Sequence, residues 1–301
     1  GLLSLRLPGM RSLAEILLSP VGLAPVTEST EAFRMAVAAA VGDAGVVEML
    51  VHDGDPDEPA RLVTLFASRG RPETRPTLLF LHGKGGGGAE WTKDAVRSLR
   101  LGFNVLVPEL RGHAPSTGAR ITCGIRETND LLLLLDLARA RFGVEAARLG
   151  IDGCSLGSLL ALQLAAVRAP AALWLQSPFG DLREMAVHYL HRATGLPRVL
   201  LAGPVRLLVR RIEKTEKLDL SRADPVAAAR RVTCPTTVVH GETDALVPIR
   251  FSPRLYEALA GPKTFWRVPA CGHCHHADEP QAVVPDEYER RWTEFFLRNV
   301  P

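Results

Sequence analysis

The sequence predicts an α/β fold, a mostly parallel eight-stranded sheet flanked by helices and carrying a short helical cap. Three observations lead there. Two β-rich runs joined by a turn are followed by six short runs that alternate with helical patterns. Most of the six are near-continuously apolar, as parallel strands buried on both faces are. A Gly-Cys-Ser-Leu-Gly segment sits where the fifth strand meets a helix.

The elements follow in order. Residues 12–18 and 30–41 carry helical spacing, the second opened by Thr30 as a cap. Residues 46–51 and 61–67 read as strands separated by Asp53-Gly54-Asp55-Pro56, a turn by composition. Further strands are expected at 77–81, 105–108, 148–152, 171–176, 236–240 and 264–268. Helical patterns cover 91–99, 124–141, 156–167, 253–259 and 286–298. The rhythm breaks between Asp181 and Asp224, a stretch rich in Leu, Arg and His with Pro197 and Pro204 as breakers. It reads as a helical cap over the sheet. Without repeats or a low-complexity linker, residues 1–301 read as one domain, with an N-terminal helical segment over 1–45 and the cap at about 181–224.

Composition narrows the function classes. The chain is 47% hydrophobic and 23% charged, the balance of a folded globular protein. Its net charge of +3 is small and the signs are interspersed, which argues against nucleic acid as a partner. No apolar run approaches the roughly 20 residues that span a bilayer. Five cysteines in a chain of this length favour free thiols and a reducing, cytoplasmic compartment over a disulfide framework.

Ser155, in Gly153-Cys154-Ser155-Leu156-Gly157, is the candidate nucleophile. A tight strand-to-helix turn lifts the hydroxyl above the sheet, and the flanking glycines leave room for that turn. The helix start also aims free N–H groups at the site, so the amide of Leu156 can receive a developing oxyanion. A serine hydroxyl needs a base, and the base needs an acid to hold its tautomer. Asp244 and His273 lie in loops after the seventh and eighth strands, at the sheet edge where catalytic groups of open α/β sheets gather. Asp181, after the sixth strand, is the competing acid. The glycine-rich run after the third strand, His82-Gly83-Lys84-Gly85-Gly86-Gly87-Gly88, offers a second oxyanion donor, the amide of Lys84 first and that of Gly85 second. It lacks the Gly-Lys-Ser/Thr ending of a phosphate loop.

With His82-Gly83, Arg111-Gly112-His113, the serine segment, His240-Gly241-Glu242-Thr243-Asp244 and Gly272-His273, the chain from residue 46 onwards resembles the α/β-hydrolase superfamily. It looks most like the serine esterase and prolyl-oligopeptidase or aminopeptidase-like branch, departing at Glu109 and at Ala114-Pro115. The resemblance implies acyl transfer to water through an acyl-enzyme, without cofactor. The leading expectation is hydrolysis of a small-molecule carboxylic ester. A peptidase or amidase with the same residues, or a ligand-binding protein on the same fold, are the alternatives.

Two signals compete. Cys271-Gly272-His273-Cys274 has the spacing of a redox motif but lies in a loop after the last strand, where such motifs do not occur. The tract from Cys271 to His276 is dense in zinc ligands but has no second ligand cluster elsewhere, so no metal is expected. Cys154 reads as packing beneath the serine turn, and His113, His188 and His191 as possible pocket residues.

Overall fold

A computed structural model describes residues 28–43, 45–274 and 285–301. The expected helix at 12–18 lies outside the described residues, as do His275 and His276. Helix α1 (Glu28–Val41) leads into strands β1 (Val46–Asp53), β2 (Arg61–Ser68) and β3 (Thr77–Leu81). Then come α2 (Thr92–Arg100), β4 (Asn104–Glu109), α3 (Glu127–Phe142), β5 (Leu149–Cys154), α4 (Leu156–Val167) and β6 (Ala172–Gln176). Two cap helices follow, α5 (Leu182–Thr194) and α6 (Arg198–Glu216). The chain closes with α7 (Pro225–Ala229), β7 (Thr236–Gly241), α8 (Pro253–Ala258), β8 (Lys263–Val268) and α9 (Pro285–Asn299).

The strands form one sheet in the order β1-β2-β4-β3-β5-β6-β7-β8. β2 runs antiparallel to both β1 and β4, with Val46 opposite Ser68 and Val63 opposite Glu109, and every other pairing is parallel. The chain leaves β3 for β4 on one side and returns to β5 on the other, so a crevice opens beyond the carboxyl ends of β3 and β5. Side-chain alternation divides the core: Leu79 and Leu81 join one buried cluster with α3 and α4, while Leu78 and Phe80 join another with α1, α2 and α9. Buried on nearly every side, α4 is apolar but for Ser158 and Gln163, both hydrogen-bonded, as a helix sunk in a core must be.

Three local expectations change. The helix expected from 124 begins at Glu127, because Cys123 (φ 54°) and Gly124 (φ 102°) take left-handed backbone and the buried Glu127 carboxylate accepts the Thr122 and Gly124 amides. Pro204, expected to break the cap, lies inside α6 on its exposed side; the carbonyl a proline leaves without a partner is that of the exposed Leu200. Thr30 falls in the first turn of α1, which starts two residues earlier than expected.

Candidate active site

Ser155 stands between β5 and α4 with φ 53° and ψ −110°, a backbone that a non-glycine residue occupies only when its surroundings enforce it. The enforcement is visible. The Ser155 amide donates to Gln176 O at 2.9 Å, and Ser158 Oγ donates to Gly153 O at 2.6 Å. A Cβ on Gly157 would lie 1.9 Å from the Leu81 carbonyl oxygen, and one on Gly153 would lie 2.5 Å from that of Gly157. Neither position can carry a side chain without moving the helix away from the sheet, which gives both glycines of the motif a packing reason.

Asp244 follows β7 in a tight turn and is buried. Its Oδ1 accepts the amides of Leu246 (2.9 Å) and Val247 (2.8 Å); its Oδ2 lies 2.7 Å from His273 Nδ1 and 3.4 Å from His240 Nε2. Burial alone would push this carboxyl up, but the hydrogen bonds from His240 and His273 outweigh it and hold it well below the usual carboxylate range. With Nδ1 engaged by Asp244, the remaining ring nitrogen of the partly exposed His273 is Nε2. Asp181 lies elsewhere: it caps α5, accepting from the amides of Arg183 (2.7 Å) and Glu184 (3.3 Å).

The sequence favours free thiols over a disulfide framework, and for two of the five cysteines the structure corrects that expectation. Cys154 and Cys274 form a disulfide with Cα atoms 5.9 Å apart, leaving Cys123, Cys234 and Cys271 free. The two partners are 120 residues apart in sequence, and only the convergence of the β5 and β8 ends brings them together. Free thiols, the ground for a reducing compartment, number three in place of five. Cys271 and Cys274, whose place in the sequence already argues against a redox pair, are not bonded to each other, since Cys274 bonds to Cys154. Ser155 follows one bonded cysteine and His273 precedes the other, each Cα about 3.8 Å from that of its neighbour. Cys274 itself takes φ 54°, and its amide donates to Ser177 Oγ at 3.3 Å.

The glycine-rich loop closes the site on the third side. A Cβ on Gly83 would lie 3.5 Å from the Cβ of Ser155, so this backbone passes directly against the serine. Two buried histidines hold it. His82 Nδ1 lies 2.8 Å from the Gly83 carbonyl and Nε2 accepts the Leu110 amide at 3.0 Å, which requires the neutral Nδ1–H tautomer. Burial accordingly pushes its pKa down to about 3. His113 Nε2 accepts the Gly85 amide at 3.1 Å while Nδ1 lies 3.0 Å from Arg111 O. The Gly85 amide, the second choice for an oxyanion donor, is thus engaged by His113. Because the peptide is planar and trans, fixing the Gly83 carbonyl on His82 also fixes the direction of the Lys84 N–H, which points the opposite way.

Sequence reasoning missed the work of His82, His113 and Glu109. Glu109 is buried beneath the same loop, both oxygens accepting the Gly88 amide at 3.0 and 3.1 Å, and burial pushes its carboxyl up to about 7. The available signal was one of composition: titratable residues inside or directly after apolar strands. His188 is also buried, but its Nε2 lies 3.2 Å from the Ala245 carbonyl and ties α5 to the Asp244 turn. His191 Nδ1 lies 2.8 Å from Leu196 O within the cap. Among the described residues, no group of three or more His, Cys, Asp or Glu is arranged to hold a metal ion.

Residues 78–287 match the family described as Alpha/beta hydrolase family. The chain is 32% identical over 199 residues to the Mycobacterium tuberculosis protein "Uncharacterized protein Rv2307c", covering 66% of this chain and 63% of that one. It is 28% identical over 207 residues to the Danio rerio "Lysophosphatidylserine lipase ABHD12", covering 64% and 49%. The chain therefore spans 63% and 49% of these relatives' lengths. Among solved structures it resembles the Pyrococcus furiosus esterase Pf2001 (TM-score 0.64, 20% identity, 85% of this chain and 92% of that one). It also resembles an acetyl xylan esterase from Paenibacillus sp. R4 (TM-score 0.62, 19% identity, 93% and 97%). At these identities the structural likeness speaks for the fold alone.

Proposed function

We propose that this chain, which belongs to the alpha/beta hydrolase family, hydrolyses carboxylic esters through an acyl-enzyme on Ser155. His273 is the general base, Asp244 its partner, and the amides of Leu156 and Lys84 receive the oxyanion. The observation that carries this reading is the 2.7 Å contact between His273 Nδ1 and Asp244 Oδ2, in a loop joined by Cys274 to the residue preceding Ser155. The sequence relative named a lysophosphatidylserine lipase favours an ester, a small molecule, as substrate.

In this mechanism Ser155 Oγ attacks the ester carbonyl carbon as its proton passes to His273 Nε2. The resulting imidazolium is stabilised by the Asp244 carboxylate. The carbonyl oxygen becomes an oxyanion and draws N–H groups at the start of α4 and in the glycine-rich loop. Collapse of this intermediate breaks the carbon–oxygen bond to the alcohol, which leaves with the proton from His273. Water then attacks the acyl carbon, giving its proton to His273, and the second collapse returns that proton to Ser155 Oγ and releases the carboxylic acid. No step in this scheme calls for a metal or an organic cofactor.

The test is covalent labelling. A fluorophosphonate probe should add one adduct to the intact protein, and none to Ser155→Ala. Labelling that persists in the variant, or is absent from the wild type, overturns the assignment. A series of p-nitrophenyl esters of rising chain length, run beside aminoacyl anilides, should show turnover of the esters.

A further inference from the structure

The cap presents an outward face that neither the fold nor the proposed chemistry uses. Helix α6 buries one stripe, Leu201, Val205, Val209 and Ile212. On the opposite side Val199, Leu200 and Leu207 are 81%, 62% and 61% exposed, and Leu196 just before the helix is 49% exposed. At 100° per residue these apolar tips share one arc with Arg206, Arg210, Arg211 and Lys214, all four exposed. An amphipathic helix with a purely solvated outer side would carry polar residues there instead.

A groove of about 850 Å³ opens between α5 and α6. Arg183, Arg198, Arg206 and Arg250 line it against a single acidic residue, Glu184, with Val199 and Phe251 among its apolar walls. Among the described residues, none of Arg183, Arg198, Arg206, Arg210, Arg211 and Arg250 forms an ion pair, whereas most arginines around α3 do. The charge is concentrated as well. Residues 182–217 hold eight Lys and Arg and three Glu, yet the whole chain nets only +3, so the rest of the molecule is net acidic.

We propose that this face of the cap docks on an anionic lipid bilayer. Apolar tips beside cations fit that partner. Aliphatic side chains enter the boundary between headgroups and acyl chains, while guanidinium and ammonium groups on long stems reach back to phosphates. Four cations on one helix face supply the electrostatic part of the attraction, which salt weakens. A nucleic acid would use the charges but leave Val199, Leu200 and Leu207 without a role. No helix among the described residues is long and apolar enough to cross a membrane. The docked helix is mechanically linked to the candidate active site: α6 packs on α5 through Val205, Val209 and Ala186, and α5 grips the Ala245 carbonyl beside Asp244 through His188 and Arg192.

Vesicle flotation of the whole chain tests this without reference to catalysis. Vesicles of phosphatidylcholine alone are compared with an equimolar mixture of phosphatidylcholine and phosphatidylglycerol, at low and high salt. The wild type should bind the mixed vesicles at least about tenfold more tightly than the neutral ones, and lose most of that preference at high salt. Arg206→Glu with Arg210→Glu should abolish the preference. Val199→Ser with Leu207→Ser should weaken binding about tenfold at unchanged charge. All four positions are exposed, so the variants should keep the wild-type circular dichroism spectrum and its activity on a short, water-soluble ester. The proposal is overturned if neither vesicle binds, if both bind equally, or if either double variant binds as the wild type does. Binding of inorganic phosphate or DNA without binding of mixed vesicles overturns it equally.

Discussion

Cys154 and Cys274 are joined by a disulfide that links the residue before Ser155 to the residue after His273. The candidate nucleophile and its candidate base thus sit on loops tied together one residue away from each, at the ends of β5 and β8. Reduction should therefore act on both stability and turnover. A cross-link of this kind typically contributes about 2–4 kcal/mol, so Cys274→Ser should melt several degrees lower than the wild type. Ester turnover should fall as the His273 loop loses its tether, and dithiothreitol should reproduce both effects in the wild type but add nothing in Cys274→Ser. Scanning calorimetry and an ester assay at matched reductant decide it; a melting temperature unaffected by reductant contradicts the role given to the bond.

Asp244 and Asp181 should separate cleanly by mutation. An acid that orients the histidine and stabilises the imidazolium is worth roughly 10,000-fold in turnover when replaced by its amide. Asp244→Asn should accordingly fold and lose nearly all activity. Asp181 caps α5 with two amide bonds. Its loss in Asp181→Ala should cost about 0.5–2 kcal/mol of stability and leave turnover nearly intact. The reverse pattern would move the acid to the end of β6.

His82 is a positioning residue in this scheme, acting through the Gly83 carbonyl and the Leu110 amide. His82→Phe fills much the same space but frees both groups, at a cost of about 1–3 kcal/mol for each one left unsatisfied. If the Lys84 amide receives the oxyanion, kcat should fall by roughly 10- to 100-fold with little change in KM, because the lost donor acts in the transition state. A lower melting temperature with unchanged kcat would leave His82 a purely structural part.

The pH dependence of stability should report on Glu109. Its folded-state pKa is raised from 4.5 to about 7 by burial, so the native state holds this proton more tightly than the unfolded chain does. Stability contributed by the protonated form is present below about pH 4.5 and is lost as pH rises through 7. Glu109→Gln removes the titration. The variant should gain on the wild type between pH 5 and 8, by up to about 3 kcal/mol, with the difference closing in acid. Parallel urea-unfolding curves across that range would contradict the assignment.

What the sequence by itself determined was whatever depends on neighbours along the chain. Near-continuous apolar runs of strand length, helical spacing between them and Gly153-Cys154-Ser155-Leu156-Gly157 at a junction located the sheet, its helices and the serine turn, since periodicity and glycine chemistry are local properties. The positions of Asp244 and His273 were legible because loops at the carboxyl ends of parallel strands converge wherever the sheet forms. The Cys154–Cys274 bond was not legible, because it depends on a meeting across 120 residues that no spacing encodes. The same holds for His82, His113 and Glu109 beneath the glycine-rich loop, whose roles come from burial and from which amide each happens to face. The preference for Asp244 over Asp181 came from the order of the loops along the chain, and the tertiary structure adds the distances, with Asp244 2.7 Å from an imidazole and Asp181 capping a helix. Tertiary structure likewise gathered Arg183, Arg198, Arg206 and Arg250 from two helices and a loop into one groove, because side chains distant in sequence share a surface only after the helices have packed.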